Sequence, residues 1–296
     1  MMPNPTQGPR HESPSMAVLH DRSEIPVRVS GAGPAVLLPV RFDPYESDQT
    51  QVMRQWGADP ELGPNLIAGL APSFTVIAAD YEGHRMSHPA ADTLTPDNVV
   101  ADLLAIADAA GADRFAYYGY SWLALSGLQL AIRSRRLSAL IMGGFPPIDG
   151  PYAEMLAVTR AAHRAAQSVG EAPSAEAVVE PGDWDSAKVQ ADEAQTRQFV
   201  TLYEALRGFD DRAAQAALTI PKLCFAGADD TIEYSARWGG VTVDLAGPLI
   251  NHRDRLRAAG WTVEILGGLD HVSAMSSSTV LPLVRNWLHG RRAESL

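Results

Sequence analysis

The chain of 296 residues is long enough to bury a large core, and its 46% hydrophobic and 20% charged residues are typical of a soluble globular protein. A formal net charge of −11, with no Lys/Arg cluster beyond short runs such as residues 133–136, argues against nucleic acid and anionic membrane surfaces as partners. The single cysteine, Cys224, excludes an intrachain disulfide, and the apolar run around it indicates a buried core side chain.

The beginning of the chain carries no targeting signal that the sequence reveals. Residues 1–15 are rich in Pro, Gly and Ser without an apolar signal-peptide core, and we expect a disordered tail there. No apolar run reaches the roughly 20 residues needed to span a bilayer. We therefore expect a cytoplasmic protein. Residues 16–30 alternate enough to predict two short antiparallel strands.

Six apolar runs of strand length predict strands that are buried on both faces. The clearest helix between them begins after Thr95, a good N-cap followed by Pro96, and Gly111 is suited to end it. Alternating buried strands and helices predict an α/β fold with a doubly wound, mostly parallel sheet. The predicted strands are 35–39, 74–79, 114–118, 137–142, 222–226 and 261–266. One further helix is expected in part of 48–70, one over 246–259 and one around 279–289.

The alternation stops at about residue 145. Residues 145–216 lack a buried-strand pattern and are rich in Ala, Gln, Glu and Arg, which predicts a helical cap inserted between two strands of one sheet. The core would then comprise residues 16–144 and 217–296. Aromatic side chains of the cap either serve packing or line an apolar substrate pocket. These candidates are Trp184, Phe199 and Tyr203.

The stretch Phe115–Leu130 is organised as an apolar strand, a sharp turn and an apolar helix, which would expose the Ser121 hydroxyl on a strained turn. Ligands of doubly wound sheets bind beyond the carboxyl ends of the strands. The loops after two later strands bring Asp229, Asp230 and His271 to that same edge. A serine, an acid and a histidine in this order predict acyl-transfer chemistry, whereas a serine that only caps its helix is the alternative.

The ordered set of motifs resembles the α/β-hydrolase superfamily from about residue 24 to the end of the chain. Asp-Tyr-Glu-Gly-His-Arg-Met-Ser at 80–87 is similar to the loop after the family's fourth strand, and Gly-Tyr-Ser-Trp-Leu at 119–123 is similar to its nucleophile elbow. Gly-Ala-Asp-Asp at 227–230 is similar to the acid loop, and Leu-Asp-His at 269–271 to the histidine loop. The inserted segment lies where this family carries its cap.

The resemblance implies roles for five residues. Ser121 would be the nucleophile, His271 the general base, and Asp230, which the family spacing favours over its neighbour, the carboxylate that orients the imidazole. The backbone N–H groups of Trp122 and Arg41 would form the oxyanion hole. The same resemblance implies a small-molecule substrate and no cofactor or metal.

Two positions depart from the family pattern. Leu123 stands where a small residue is usual, and Pro39-Val40 stand where the oxyanion loop usually has His-Gly. We expect a serine hydrolase that cleaves an ester or lactone of a small to medium, partly apolar substrate, with amide, thioester or carbon–carbon bond hydrolysis and acyl transfer left open. The departures motivate a second hypothesis, a non-catalytic small-molecule-binding protein. The sequence leaves monomer and homodimer open.

Overall fold

The computed structural model of the protein describes residues 14–168 and 191–293. Every strand predicted from an apolar run is present, with ends that differ by one or two residues. The strands are β1 Ser15–Val18, β2 Glu24–Ser30, β3 Ala35–Leu38, β4 Thr75–Ala78, β5 Phe115–Tyr120, β6 Leu137–Gly143, β7 Lys222–Gly227, β8 Thr231–Glu233, β9 Thr242–Asp244 and β10 Trp261–Leu266.

Eight of these strands form one sheet in the order β1-β2-β4-β3-β5-β6-β7-β10. The strands from β4 to β10 in that order pair in parallel, whereas β1 pairs with β2, and β2 with β4, in antiparallel fashion. The predicted antiparallel start and doubly wound, mostly parallel sheet are therefore confirmed. The carboxyl ends of β3, β4, β5, β7 and β10 meet at one edge, which is where ligands bind in such sheets.

Helices cover both faces of this sheet. The described helices are α1 Ser47–Gln55, α2 Leu62–Leu70, α3 Tyr81–Ser87, α4 Pro96–Ala109, α5 Trp122–Arg133, α6 Tyr152–Gln167, α7 Glu193–Ala205, α8 Asp211–Ala214, α9 Ala246–Asn251, α10 Arg253–Ala258 and α11 Ser277–Ala293. Thr95 caps α4 by accepting a hydrogen bond from the Asn98 N–H at 3.3 Å, as its sequence predicts. In the part of the chain that the structure describes, no helix is long and apolar enough to cross a membrane.

The central strand β5 divides its side chains between two hydrophobic cores, and all six of its residues are buried. Phe115 and Tyr117 point to the core that contains α4 and α5 residues, whereas Tyr118 and Tyr120 point to the core under α2 and α11. This alternation follows from the period of two in a strand. It places the residue after Tyr120 at the sheet edge, above both cores.

Two local predictions need correction, and one hairpin was not predicted. Residues 246–259 form two helices rather than one: the break falls at His252, which has φ −107° and ψ 15° and whose Nε2 atom lies 2.7 Å from the Asp149 carboxylate. The segment 48–70 likewise divides into α1 and α2, and the hairpin of β8 and β9 has no counterpart among the predicted elements. The described part of 145–216 is helical, with α6 packed against α7, as predicted.

Candidate active site

Ser121 occupies a strained turn between β5 and α5. Its backbone has φ 55° and ψ −129°, a combination that non-glycine residues rarely adopt and that costs about 1–3 kcal/mol. Two sets of hydrogen bonds hold it there: its N–H donates to the Gly143 carbonyl at 2.8 Å, and its own carbonyl accepts from Ala124 and Leu125 in the first turn of α5. The turn therefore presents the serine side chain above the sheet edge.

The close approach within this turn falls on Gly119. A Cβ atom at that position would lie 2.3 Å from the Leu123 carbonyl oxygen, so only glycine fits without moving the backbone. The same carbonyl accepts a hydrogen bond from the Tyr117 hydroxyl at 2.8 Å. The Leu123 side chain lies at the cavity wall described below, which is why the structure accommodates a large residue at this position.

His271 is paired with Asp230 on the neighbouring loops. Its Nδ1 atom lies 3.0 Å from both carboxylate oxygens of Asp230, whose side chain is fully buried. Asp229, the alternative acid, is exposed. Among the described residues, the Nε2 atom of His271 has no hydrogen-bond partner in the protein, so it is available to a substrate or to the Ser121 hydroxyl. An imidazole oriented in this way by a buried carboxylate is suited to general base catalysis.

The acid and histidine loops are fastened to each other by the backbone. The Asp229 N–H donates to the Leu269 carbonyl at 3.0 Å, and the Ala228 N–H donates to the Leu266 carbonyl at 2.8 Å. Gly227 permits this approach, because a Cβ there would lie 2.0 Å from the Leu269 carbonyl oxygen. On the other side, the Tyr120 hydroxyl donates to the His271 carbonyl at 2.8 Å, which ties the histidine loop to the end of β5.

Ser121 and His271 line the same cavity, of about 480 Å³. Its walls are formed by the ends of β3 and β5, by the histidine loop and by the segment that contains α1 and the start of α2. Most of the lining is apolar or aromatic, and polar groups converge at only a few points. The wall residues contributed by the segment that contains α1 and the start of α2 are Tyr45, Met53, Trp56, Ala58, Asp59, Pro60, Leu62 and Gly63.

The two residues expected to supply the oxyanion hole, Trp122 and Arg41, both line the cavity of Ser121. Trp122 is the first residue of α5, so its N–H has no acceptor within the helix and lies at the positive end of the helix dipole. Arg41 follows β3 and lines the cavity as well. Gly63 packs directly on Arg41, since a Cβ at Gly63 would lie 1.8 Å from the Arg41 carbonyl oxygen. The two amides named from the sequence thus border the cavity that contains the serine.

Of the three cap residues named from the sequence, the two that the structure describes do not line the Ser121 cavity. Trp184 is outside the described residues. Phe199 contacts Trp122 edge-on, with ring centroids 5.3 Å apart, and does not line the Ser121 cavity. Tyr203 is buried beside a separate cavity of about 410 Å³ that includes residues of α6 and α7. Their proposed part in substrate binding stays a prediction.

The α1 segment and Glu82 contribute to the cavity without having been identified in the sequence. Met53 and Trp56 are three residues apart, and this spacing places both on one face of the α1 segment. An apolar pair with that spacing is the sequence pattern that could have identified them. Glu82 lies in the motif after β4, at a position that the resemblance does not single out. Gly63 gives no local signal, because its role depends on the loop packed against it.

Comparisons with known proteins identify the architecture. No protein-family model and no curated protein sequence matches the chain. Among solved structures, an enol-lactonase from Burkholderia xenovorans is 19% identical, with a TM-score of 0.59 over 93% of this chain and 99% of the other. Esterases from Exiguobacterium antarcticum and Thermogutta terrifontis are 15% and 16% identical, with TM-scores of 0.60 and 0.58. They cover 93% and 94% of this chain and 99% of each esterase. At such identities the likeness concerns the fold alone.

Proposed function

Because the chain has the α/β-hydrolase fold, we propose that it is a serine hydrolase that cleaves an ester or lactone through an acyl-enzyme on Ser121. The observation that carries this proposal is the pairing of His271 with the buried Asp230 at a cavity shared with Ser121 on its strained turn. A serine used only as a helix cap would need none of these features, and its side chain makes no capping hydrogen bond in α5.

In the proposed reaction, the Ser121 hydroxyl oxygen attacks the carbonyl carbon while Nε2 of His271 takes the hydroxyl proton. The carbonyl oxygen becomes an oxyanion that accepts hydrogen bonds from the Trp122 and Arg41 N–H groups. The tetrahedral intermediate then expels the alcohol, which receives the proton from His271. A water molecule, deprotonated by His271, attacks the acyl-enzyme, and the acid leaves as the Ser121 hydroxyl is restored.

The cavity supports a substrate of limited size. A volume of about 480 Å³ lies within the range of small-molecule sites, and its largely apolar lining favours a partly apolar acyl or alcohol group. Proteins of the same fold include an enol-lactonase and esterases, which agrees with carboxylic esters or lactones as the substrate class. The same steps apply to thioesters and amides, with leaving groups of different basicity.

A panel of short-chain and long-chain acyl esters and lactones, assayed on the wild type and on Ser121→Ala, tests the proposal. We expect turnover of at least one class by the wild type and a loss of at least about 10³-fold in Ser121→Ala, since the acyl-enzyme cannot form. Ser138→Ala is the matched control, because Ser138 is exposed on β6 away from the cavity. Equal turnover by Ser121→Ala and the wild type refutes the proposal.

A further inference from the structure

Glu82 lies where the cavity of Ser121 meets a second cavity, of about 520 Å³. Four residues line both cavities and form the junction between them: Arg41, Tyr45, Asp80 and Glu82. The second cavity is more polar and includes His84 and His88, whose rings are stacked with centroids 4.6 Å apart. Ser121 and Glu82 therefore border the same cavity, so a ligand that fills it would contact both residues.

The other carboxylates of the Ser121 cavity have partners within the protein. Asp80 accepts a hydrogen bond from the Gly83 N–H at 3.0 Å and faces Arg41 at 3.6 Å. Asp59 accepts from the backbone N–H groups of Ser277 and Glu61 at 2.8 and 2.9 Å. Glu82 forms no salt bridge with any residue of 14–168 or 191–293. Its negative charge is the one in this cavity without a cationic or multiple-donor partner.

The Glu82 carboxyl is exposed to the cavity and lies near the carboxylate of Asp80. Nearby protein atoms and the negative charge of Asp80 raise the pKa of this carboxyl. The indole N–H of Trp122 opposes this shift. That indole is 8% exposed, and its N–H has no partner that meets ordinary hydrogen-bond geometry. A ligand cation in the cavity would therefore meet an accessible carboxylate that forms no salt bridge with the described residues.

The nearby basic groups do not supply that cation. The Arg41 guanidinium donates to the backbone carbonyls of Asp43 and Pro44, faces Asp80 and lies 4.6 Å from the ring centroid of Tyr45. Burial, the charge of Arg85 and the proximity of His88 lower the pKa of His84 to about 4, so its ring is neutral near neutral pH.

We propose that Glu82 binds a positively charged nitrogen of the ligand, so that this cavity selects molecules with an apolar body and an ammonium group. As a statement about substrates it rests on the proposed hydrolase function, but the binding itself does not. An ammonium group donates charge-assisted hydrogen bonds to a carboxylate, and the net charge of −11 attracts cations to the protein from solution.

Binding of two matched probes tests this site without any turnover. Para-butylbenzylamine is an ammonium ion near neutral pH, and para-butylbenzyl alcohol has almost the same shape without the charge. Isothermal titration calorimetry on the wild-type protein is expected to show the amine binding about 10- to 100-fold more tightly, the range for a hydrogen bond to a charged group. Neither probe contains an ester, so each is free to enter the cavity in either direction.

Two variants test whether Glu82 causes the preference for the amine over the alcohol. Glu82→Gln keeps the size of the side chain and removes its charge, and we expect the affinities of amine and alcohol to become equal within about threefold. Glu61→Gln removes the same charge from an exposed residue that does not line the cavity, and it should retain the wild-type ratio. Thermal melting of both variants checks that they are folded.

The outcomes separate this proposal from the hydrolase proposal. Equal affinities in the wild type, no detectable binding of either probe, or an unchanged ratio in Glu82→Gln overturns the cation site. A preference for the amine that depends on Glu82, together with no Ser121-dependent turnover of any ester or lactone, supports the cation site and refutes the hydrolase. Ser121-dependent turnover together with equal affinities for the two probes supports the hydrolase and refutes the cation site.

Discussion

Replacing Gly63 with alanine is expected to displace the Arg41 amide, the proposed second oxyanion donor. The new Cβ would lie 1.8 Å from the Arg41 carbonyl oxygen, whereas real Cβ atoms essentially never approach another atom closer than 3.0 Å. The Arg41 backbone therefore has to move by at least about 1 Å, which takes its N–H out of the 2.7–3.1 Å range that oxyanion stabilisation requires. A misplacement of this size costs about 10²-fold in rate. We expect kcat to fall by about this factor with a much smaller change in KM.

The assay compares steady-state kinetics of the wild type and Gly63→Ala on the best ester of the panel, with melting temperatures measured in parallel. Gly290→Ala is the matched control, because a Cβ there meets no atom within 4 Å in helix α11. Arg41→Ala, which removes the side chain and keeps the backbone N–H, should lose less than about tenfold in kcat. A folded Gly63→Ala protein with kcat within about threefold of the wild type refutes the role given to the Arg41 amide.

Three further predictions concern the acid and the buried charges. Asp230→Asn should lower kcat/KM about 10³-fold, because an imidazolium at this distance from a carboxylate is stabilised by about 4 kcal/mol. Asp229→Asn should change kcat/KM less than about threefold, and comparable losses in both variants contradict the assignment of Asp230. Asp21→Asn should lower the free energy of unfolding, measured in urea, by about 3 kcal/mol, because the fully buried Arg85 loses the carboxylate that lies 2.8 Å away. A loss below about 1 kcal/mol contradicts this prediction. The folded protein lowers the pKa of His84 from 6.5 to about 4, so between these two pH values the unfolded state binds more protons and the free energy of unfolding should fall as the pH falls. His84→Gln should flatten this decline in urea unfolding, and an unchanged decline contradicts the prediction.

The elements that hold the proposed catalytic groups were predictable because their signals are local. The apolar runs before Ser121, Asp230 and His271 have strand length, and parallel strands bring the loops after them to one edge. The order serine, acid and histidine then follows from the chain itself. The helix after Thr95 was equally predictable, because its N-cap and the spacing of its apolar residues both lie within the segment itself.

The shape of the cavity was not predictable, because it depends on packing between distant segments. Gly63 matters through contact with Arg41, and nothing near Gly63 in the sequence marks that contact. Glu82 was identified because it lies at the junction of two cavities. Asp80 forms a salt bridge with Arg41, whereas Glu82 forms none with the described residues. Leu123 was interpreted from its departure from a family pattern, whereas in the structure the close approach falls on Gly119.

The break at His252 shows the same limit for a helix. Its local sequence is compatible with one continuous helix, and a contact with Asp149, more than a hundred residues earlier, accompanies the break. Tertiary contacts of this kind override local preference and carry no signature in the segment itself.

Labelling with a fluorophosphonate tests the central claim most directly, because the reagent reacts with a serine activated by a base and an oxyanion hole. We predict one phosphonyl group per chain, located on Ser121 by mass spectrometry of the digested protein, with loss of ester turnover in proportion to labelling. Ser121→Ala should remain unlabelled under the same conditions. A folded wild-type protein that is not labelled, or that is labelled elsewhere while its turnover persists, contradicts Ser121 as the nucleophile.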